Sequence, residues 1–151
     1  MQVSYGQIHR PEALEPETDV ARVTASIAYH LDWGENNWQT TLAWGRNNHQ
    51  PGETLDALLL ESLVNFHGTH TLFGRAEYVE KDHLFPPGNP LAEASFRVGK
   101  VSAGYIYDFA AWRRIKFGVG GLGSFHFVPD RLQSTYGNRP LSFMLFTRAK
   151  F

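Results

Sequence analysis

The chain has 151 residues, a formal net charge of -1 from 14 Lys+Arg against 15 Asp+Glu, no cysteine, and an aromatic share of 14% with 14 glycines. That length suits one domain, and the charge argues against a basic nucleic-acid-binding domain; without cysteine, a disulfide scaffold and a thiol-ligated zinc site are excluded. No stretch approaches the roughly 20 apolar residues that a membrane-spanning helix requires, so a helical membrane protein is excluded too.

The first predicted strand is Val3–Ile8, and the second is Val20–Leu31. In the second, Ala21, Val23, Ala25, Ile27 and Tyr29 alternate with Arg22, Thr24, Ser26, Ala28 and His30, which is the period-two signature of a strand. The third, Asn37–Arg46, alternates in the same way through Trp38, Thr40, Leu42 and Trp44. Leu58–Phe66 is apolar on both faces at its start, and Thr69–Val79 follows it closely. In the sixth, Ala94–Asp108, the alternation slips near Gly99, where a β-bulge is expected to reset it. The last two are Ile115–Val128 and Leu141–Phe151, each alternating along its length. GVGGLG at 118–123 lies inside one of them and lacks the strand-then-helix context of a phosphate loop; its glycines are expected to allow curvature or close packing.

The connections at 9–19, 32–36, 47–57, 67–68, 80–93, 109–114 and 129–140 are alternately long and short, and the long ones are polar and rich in Pro and Gly. Strands of about 9 to 15 residues are long enough to cross a bilayer when tilted, and transmembrane barrels carry short turns at one rim and long loops at the other. The expected fold is therefore all-β: an antiparallel up-and-down meander of about eight long strands forming a single domain over 1–151. It is read as a transmembrane β-barrel or the C-terminal part of a larger one. On this reading Arg22, Glu61, Arg75, Glu77, Lys100, Lys116, Arg148 and Lys150 line the lumen, together with Gln39 and Asn65, because charge in lipid is expensive. Tyr29, Trp33, Trp38, Trp44, Tyr78, Tyr105, Phe125, Phe127, Phe143 and Phe151, with Phe66, are expected to form an aromatic girdle.

The last strand, LSFMLFTRAKF, resembles the C-terminal recognition strand of Gram-negative outer-membrane proteins, in which alternating hydrophobics lead to a terminal aromatic. The segments QVSYGQIHRPEALEP, VTASIAYHL, TTLAWGRNN, LLLESLVNF, LFGRAEYVEKDHLF and FRVGKVSAGYIYDF together resemble the C-terminal part of a family of uncharacterised bacterial outer-membrane, porin-like proteins. The resemblance covers nearly the whole chain. In that family the region follows a longer N-terminal part with a signal peptide, whereas Met1–Tyr5 has neither the basic start nor the apolar run of one. It implies a barrel portion in the outer membrane, made as part of a longer precursor and contacting outer-membrane lipid and, through Leu141–Phe151, the barrel-assembly machinery. It implies no catalytic or ligand residues.

Other chemistry is weaker. His67 and His70 in FHGTH, and His83 beside Asp82, fall short of the three or four converging ligands a metal needs. Asp82-His83 and Ser134 lie in long loops, and neighbours on a loop do not make a catalytic dyad. The Trp112-Arg113-Arg114 turn is read as a solvated hairpin. No enzyme activity, cofactor, metal or nucleic-acid partner is expected. The function expected is a passive or weakly selective channel for small solutes. The alternatives are a small closed barrel with a binding or structural role, and a soluble lipocalin-like carrier whose apolar face turns inward; periodicity is the same in each.

Overall fold

A computed structural model describes residues 1–10, 17–82, 84–85, 88–92, 94–112, 115–138 and 140–150. The strands are β1 (Gln2–Ile8), β2 (Asp19–Trp33), β3 (Asn36–Gln50), β4 (Thr54–Phe66), β5 (His70–Lys81), β6 (Phe96–Trp112), β7 (Ile115–Phe127) and β8 (Leu141–Lys150), with one helix, α1 (Asp130–Tyr136), before the last. They form a single antiparallel sheet in chain order, the up-and-down meander that the alternation predicts. No pairing joins β1 to β8, so the sheet is open, as a partial barrel is.

Because residues opposite one another in an antiparallel ladder share a face, the registers sort the side chains. One row runs Ser26, Ala43, Leu59, Glu77, Lys100, His126. The neighbouring row on the other face runs Ile27, Leu42, Leu60, Ala76, Val101, Phe125, Leu141. On the first face the side chains of β5 and β8, three strands apart, touch: the Phe73 and Phe146 rings lie 6.5 Å apart and Arg148 donates to Thr71 at 3.2 Å. That face is therefore concave. It holds the buried Val20, Phe96, Ile106, Asn65, Thr71 and Ser124. The large exposed apolar residues of the strands, from Val3 and Tyr5 through Leu42, Leu58, Leu60 and Leu72 to Phe143 and Leu145, lie on the convex face. The exception is Met144; the bulge residue Phe109 lies in ring contact with the convex Tyr107 at 6.4 Å.

Curling brings side chains together only where the floor is low. Gly104 and Gly120 face the concavity on β6 and β7, and a Cβ at Gly104 would meet the Phe73 ring and stand 2.8 Å from the Gly121 carbonyl oxygen. A backbone atom held in a ladder retreats only at a cost. Gly104→Ala is therefore expected to lower stability by about 1–3 kcal/mol, the usual range for overpacking, read as a fall in the urea midpoint of the detergent-folded chain.

The structure corrects four expectations. The 47–57 loop is absent: β3 continues to Gln50, β4 starts at Thr54, and only Pro51–Glu53 turns the chain. Asn47↔Leu55 and Asn48↔Thr54 are ladder pairs, because backbone pairing tolerates polar side chains where a strand runs past its apolar belt. Strict alternation of link lengths is lost with it. At one end, 34–35, 67–69 and 113–114 are short; at the other, 9–18, 82–95 and 128–140 are long and 51–53 is tight. The bulge lies between Asp108 and Ala110, not at Gly99, which pairs regularly with Tyr78 and Phe127. Finally, α1 occupies part of what reads as loop; Pro129 precedes it, Gly137 follows it, and its Leu132 is 1% exposed. With a single buried apolar residue the segment has no periodicity to detect.

Candidate functional site

The concave face carries the predicted lumen set. Arg22, Glu61, Arg75, Glu77, Lys100, Lys116, Arg148 and Lys150 all fall on it by register, as do Gln39 and Asn65. They form three groups. Near the long-loop end the Arg22 Nε donates to Asn47 Oδ1 at 2.8 Å. At mid-height a cleft of about 790 Å³ is lined by Gln39, Thr41, Glu61, Arg75, Lys100 and Ser102, among others. There Arg75 joins Glu61 at 2.8 Å and Glu77 at 2.7 Å, while Glu77 stands opposite Lys100 in the ladder. Opposite charges thus interleave across β4, β5 and β6, which gives a polar floor with little net charge. The sequence leaves open whether Arg75 and Glu77 set selectivity or build a structural ladder with Glu61 and Lys100; Arg75 pairs with both glutamates.

At the short-turn end the third group closes around Asp108, whose side chain is 2% exposed. Arg148 donates to both its carboxylate oxygens at 3.0 and 2.8 Å, and Lys150 reaches it at 2.7 Å. Arg148 also donates to Thr71 Oγ1, which accepts from the buried Asn65 at 2.8 Å. One chain of contacts therefore ties β4, β5, β6 and β8 together. Sequence reasoning omitted Asp108 because its partners lie 40 residues further along the chain. The available signals were its polar-face parity and Gly118 opposite, which leaves its carboxylate room.

The long-loop end of the concavity is covered by its own links. Leu84, Val79, Val98, Leu132 and Tyr136 line a common hollow, and the Phe85 and Phe96 rings meet edge-on at 6.0 Å.

On the convex face the predicted aromatics sort into rows. Trp44, Tyr78 and Phe127 share one register row towards the long-loop end, and Trp38 and Tyr105 share one towards the short turns. Tyr29 and Phe143 share one of the two rows between and Phe125 lies on the other, its ring 4.7 Å from that of Phe127; Trp33 ends β2. Phe66 ends β4 opposite His70. Phe151 lies outside the described residues. Sequence reasoning weighed His70 only as a metal ligand and missed its aromatic contacts: it hydrogen-bonds Tyr105 Oη at 2.6 Å and stacks on Tyr107 at 5.3 Å. It also missed a charged row just beyond Trp44 and Tyr78: Arg46 grips Asp56 at 2.9 and 2.8 Å, and Arg97 pairs with Glu80 at 2.8 Å. Their pairing escaped notice because Asp56 and Glu80 fall in the predicted links 47–57 and 80–93.

His70 is committed to Tyr105, and His67 sits in the β4–β5 turn with its backbone N–H on Asn36 Oδ1. Among the described residues no three His, Asp or Glu side chains converge as metal ligands. Ser134 is exposed on α1; His83, Arg113 and Arg114 lie outside the described residues.

Fold and site together define a class: an open antiparallel meander with a charged concave face and an exposed apolar convex one. No protein-family model, no curated protein and no solved structure matches the chain.

Proposed function

We propose that the chain is an outer-membrane β-barrel, or the C-terminal portion of a wider one, acting as a passive or weakly selective channel for small solutes. The observation that carries this reading is the division of the sheet, with nearly all its large exposed apolar side chains on the convex face and most of its strand charges on the concave one, the convex row of Arg46, Asp56, Glu80 and Arg97 lying beyond the apolar belt at the long-loop end. A water-soluble domain gains by turning such a face inward, whereas lipid rewards turning it out. A carrier of an apolar ligand would need the opposite arrangement. The convex face contacts lipid, the concave face lines the solute path, and Leu141–Phe151 is the strand offered to the assembly machinery of a Gram-negative outer membrane. The unpaired edges of β1 and β8 favour the wider barrel.

Two measurements test it. In vesicles of brominated lipid, the outward Trp38 and Trp44 are expected to be quenched; unquenched fluorescence would remove the lipid reading. In planar bilayers, Arg75→Glu or Lys100→Glu is expected to move the reversal potential towards cation preference, since charged rings at a constriction set ion preference. An unchanged potential would take both residues off the solute path.

A further inference from the structure

Around β7 and β8, the short-turn end of the concave face gathers more positive charge, among the described residues, than Asp108 alone neutralises. Asp108 is already held by Arg148 and Lys150. Lys116 stands directly opposite Lys150 in the β7–β8 ladder, on the same face. Like charges placed directly opposite in a sheet repel, so a strand pair keeps such an arrangement at a cost unless something negative lies between them. Lys116 makes no ion pair among the described residues. Its Nζ lies over the β4–β5 turn at that rim, 3.4 Å from where a Cβ on Gly68 would sit. On that face Arg148 also meets the neutral Thr71, which Asn65 holds, while Asp32, across the sheet on β2, is hydrogen-bonded to His30. Two lysines and an arginine thus stand as neighbours on β7 and β8, beside an acid, Asp108, that is already held.

We propose that Lys116, Lys150 and Arg148 form an anion site at the short-turn end of the concave face, taking a small soluble oxyanion of the phosphate class. Arg148 is the fixed member, locked by Asp108 and Thr71, and the two lysines are the adjustable ones. Ammonium groups suit this role because each presents three rotatable donors that adapt to an oxyanion's geometry. The inference deepens the channel reading, resting on it only for the exposure of this face to water, and it makes the solute anionic.

The test is titration of the detergent-folded chain with inorganic pyrophosphate by calorimetry. Saturable binding is expected in zwitterionic micelles. Each lysine removed is expected to weaken it about tenfold, the worth of one charge-assisted hydrogen bond. The variants are Lys116→Gln alone, which breaks no ion pair, and Lys116→Gln with Lys150→Gln. Lys81→Gln, a concave-face lysine at the opposite end, is expected to change nothing. Adding an anionic phospholipid to the micelles is expected to leave the affinity unaltered. No binding by the folded wild type would overturn the site, as would equal binding by the Lys116→Gln variant or displacement by the lipid. Conductance separates the two readings: a chain that binds pyrophosphate but never conducts keeps the site and loses the channel, and one that conducts without binding does the reverse.

Discussion

Asp108→Ala is expected to lower the unfolding free energy of the detergent-folded chain by about 3–5 kcal/mol, the usual cost of removing one partner from a buried ion pair. The effect is large for a structural reason. The carboxylate is almost wholly covered, it accepts two hydrogen bonds from Arg148 and contacts Lys150, and its loss leaves two cations facing each other with Lys116 close by. Arg148 would also pull on Thr71 and Asn65, so the damage should spread along β5 and β4. Urea titration followed by tryptophan fluorescence measures it. A shift no larger than that of an exposed ion pair, about 0–1 kcal/mol, would mean that water reaches the cluster freely.

The second large effect concerns the opposite face. Leu60 is 47% exposed and lies on the convex row with Leu42 and Val101. In water, exchanging a half-exposed leucine for arginine on a strand surface is close to neutral, within about 0.5 kcal/mol. In a bilayer the same substitution near the midplane costs about 2–4 kcal/mol. Leu60→Arg is thus expected to cost little in zwitterionic micelles thin enough to let the guanidinium reach water, and several kcal/mol in vesicles, read from folding yields across a urea series. Equal stability in both media would take the row out of the hydrocarbon.

The strand order and the division of faces were legible because period two survives in nearly every strand. From Ala21 to Tyr29 and from Leu141 to Ala149 each side chain lies on the face its position in the alternation predicts. The link at 47–57 was misread because polarity was taken for irregularity. Arg46 and Asp56 are polar on the convex face, yet they are paired across a continuous ladder. The bulge was misplaced because a glycine such as Gly99 looks like a break, while Phe109, the residue that is in fact extra, looks like a strand residue. The lumen set was identifiable by parity alone, but its division into three groups was not. Parity says which face a residue is on and not how far along it lies. The height of Asp108 relative to Arg148 follows from two successive registers, β6 with β7 and β7 with β8, each set by link lengths that propensity does not determine.

The open edges have a consequence for the order of events in assembly. Strands β2 to β7 satisfy their backbone groups on both sides, whereas β1 and β8 each present one outer row of N–H and C=O groups with no strand partner. Beside β8 the convex side chains are the most bared of the sheet, with Phe143 at 85% exposed. In water such an edge is tolerable, because solvent caps it; in hydrocarbon each uncapped group costs several kcal/mol. A sheet of this kind bound for lipid cannot enter first and find its lateral neighbours afterwards. Zipping of the two rims onto further strands has to accompany or precede burial of the belt, so the rate of membrane entry should follow the supply of edge partners rather than the hydrophobicity of the convex face.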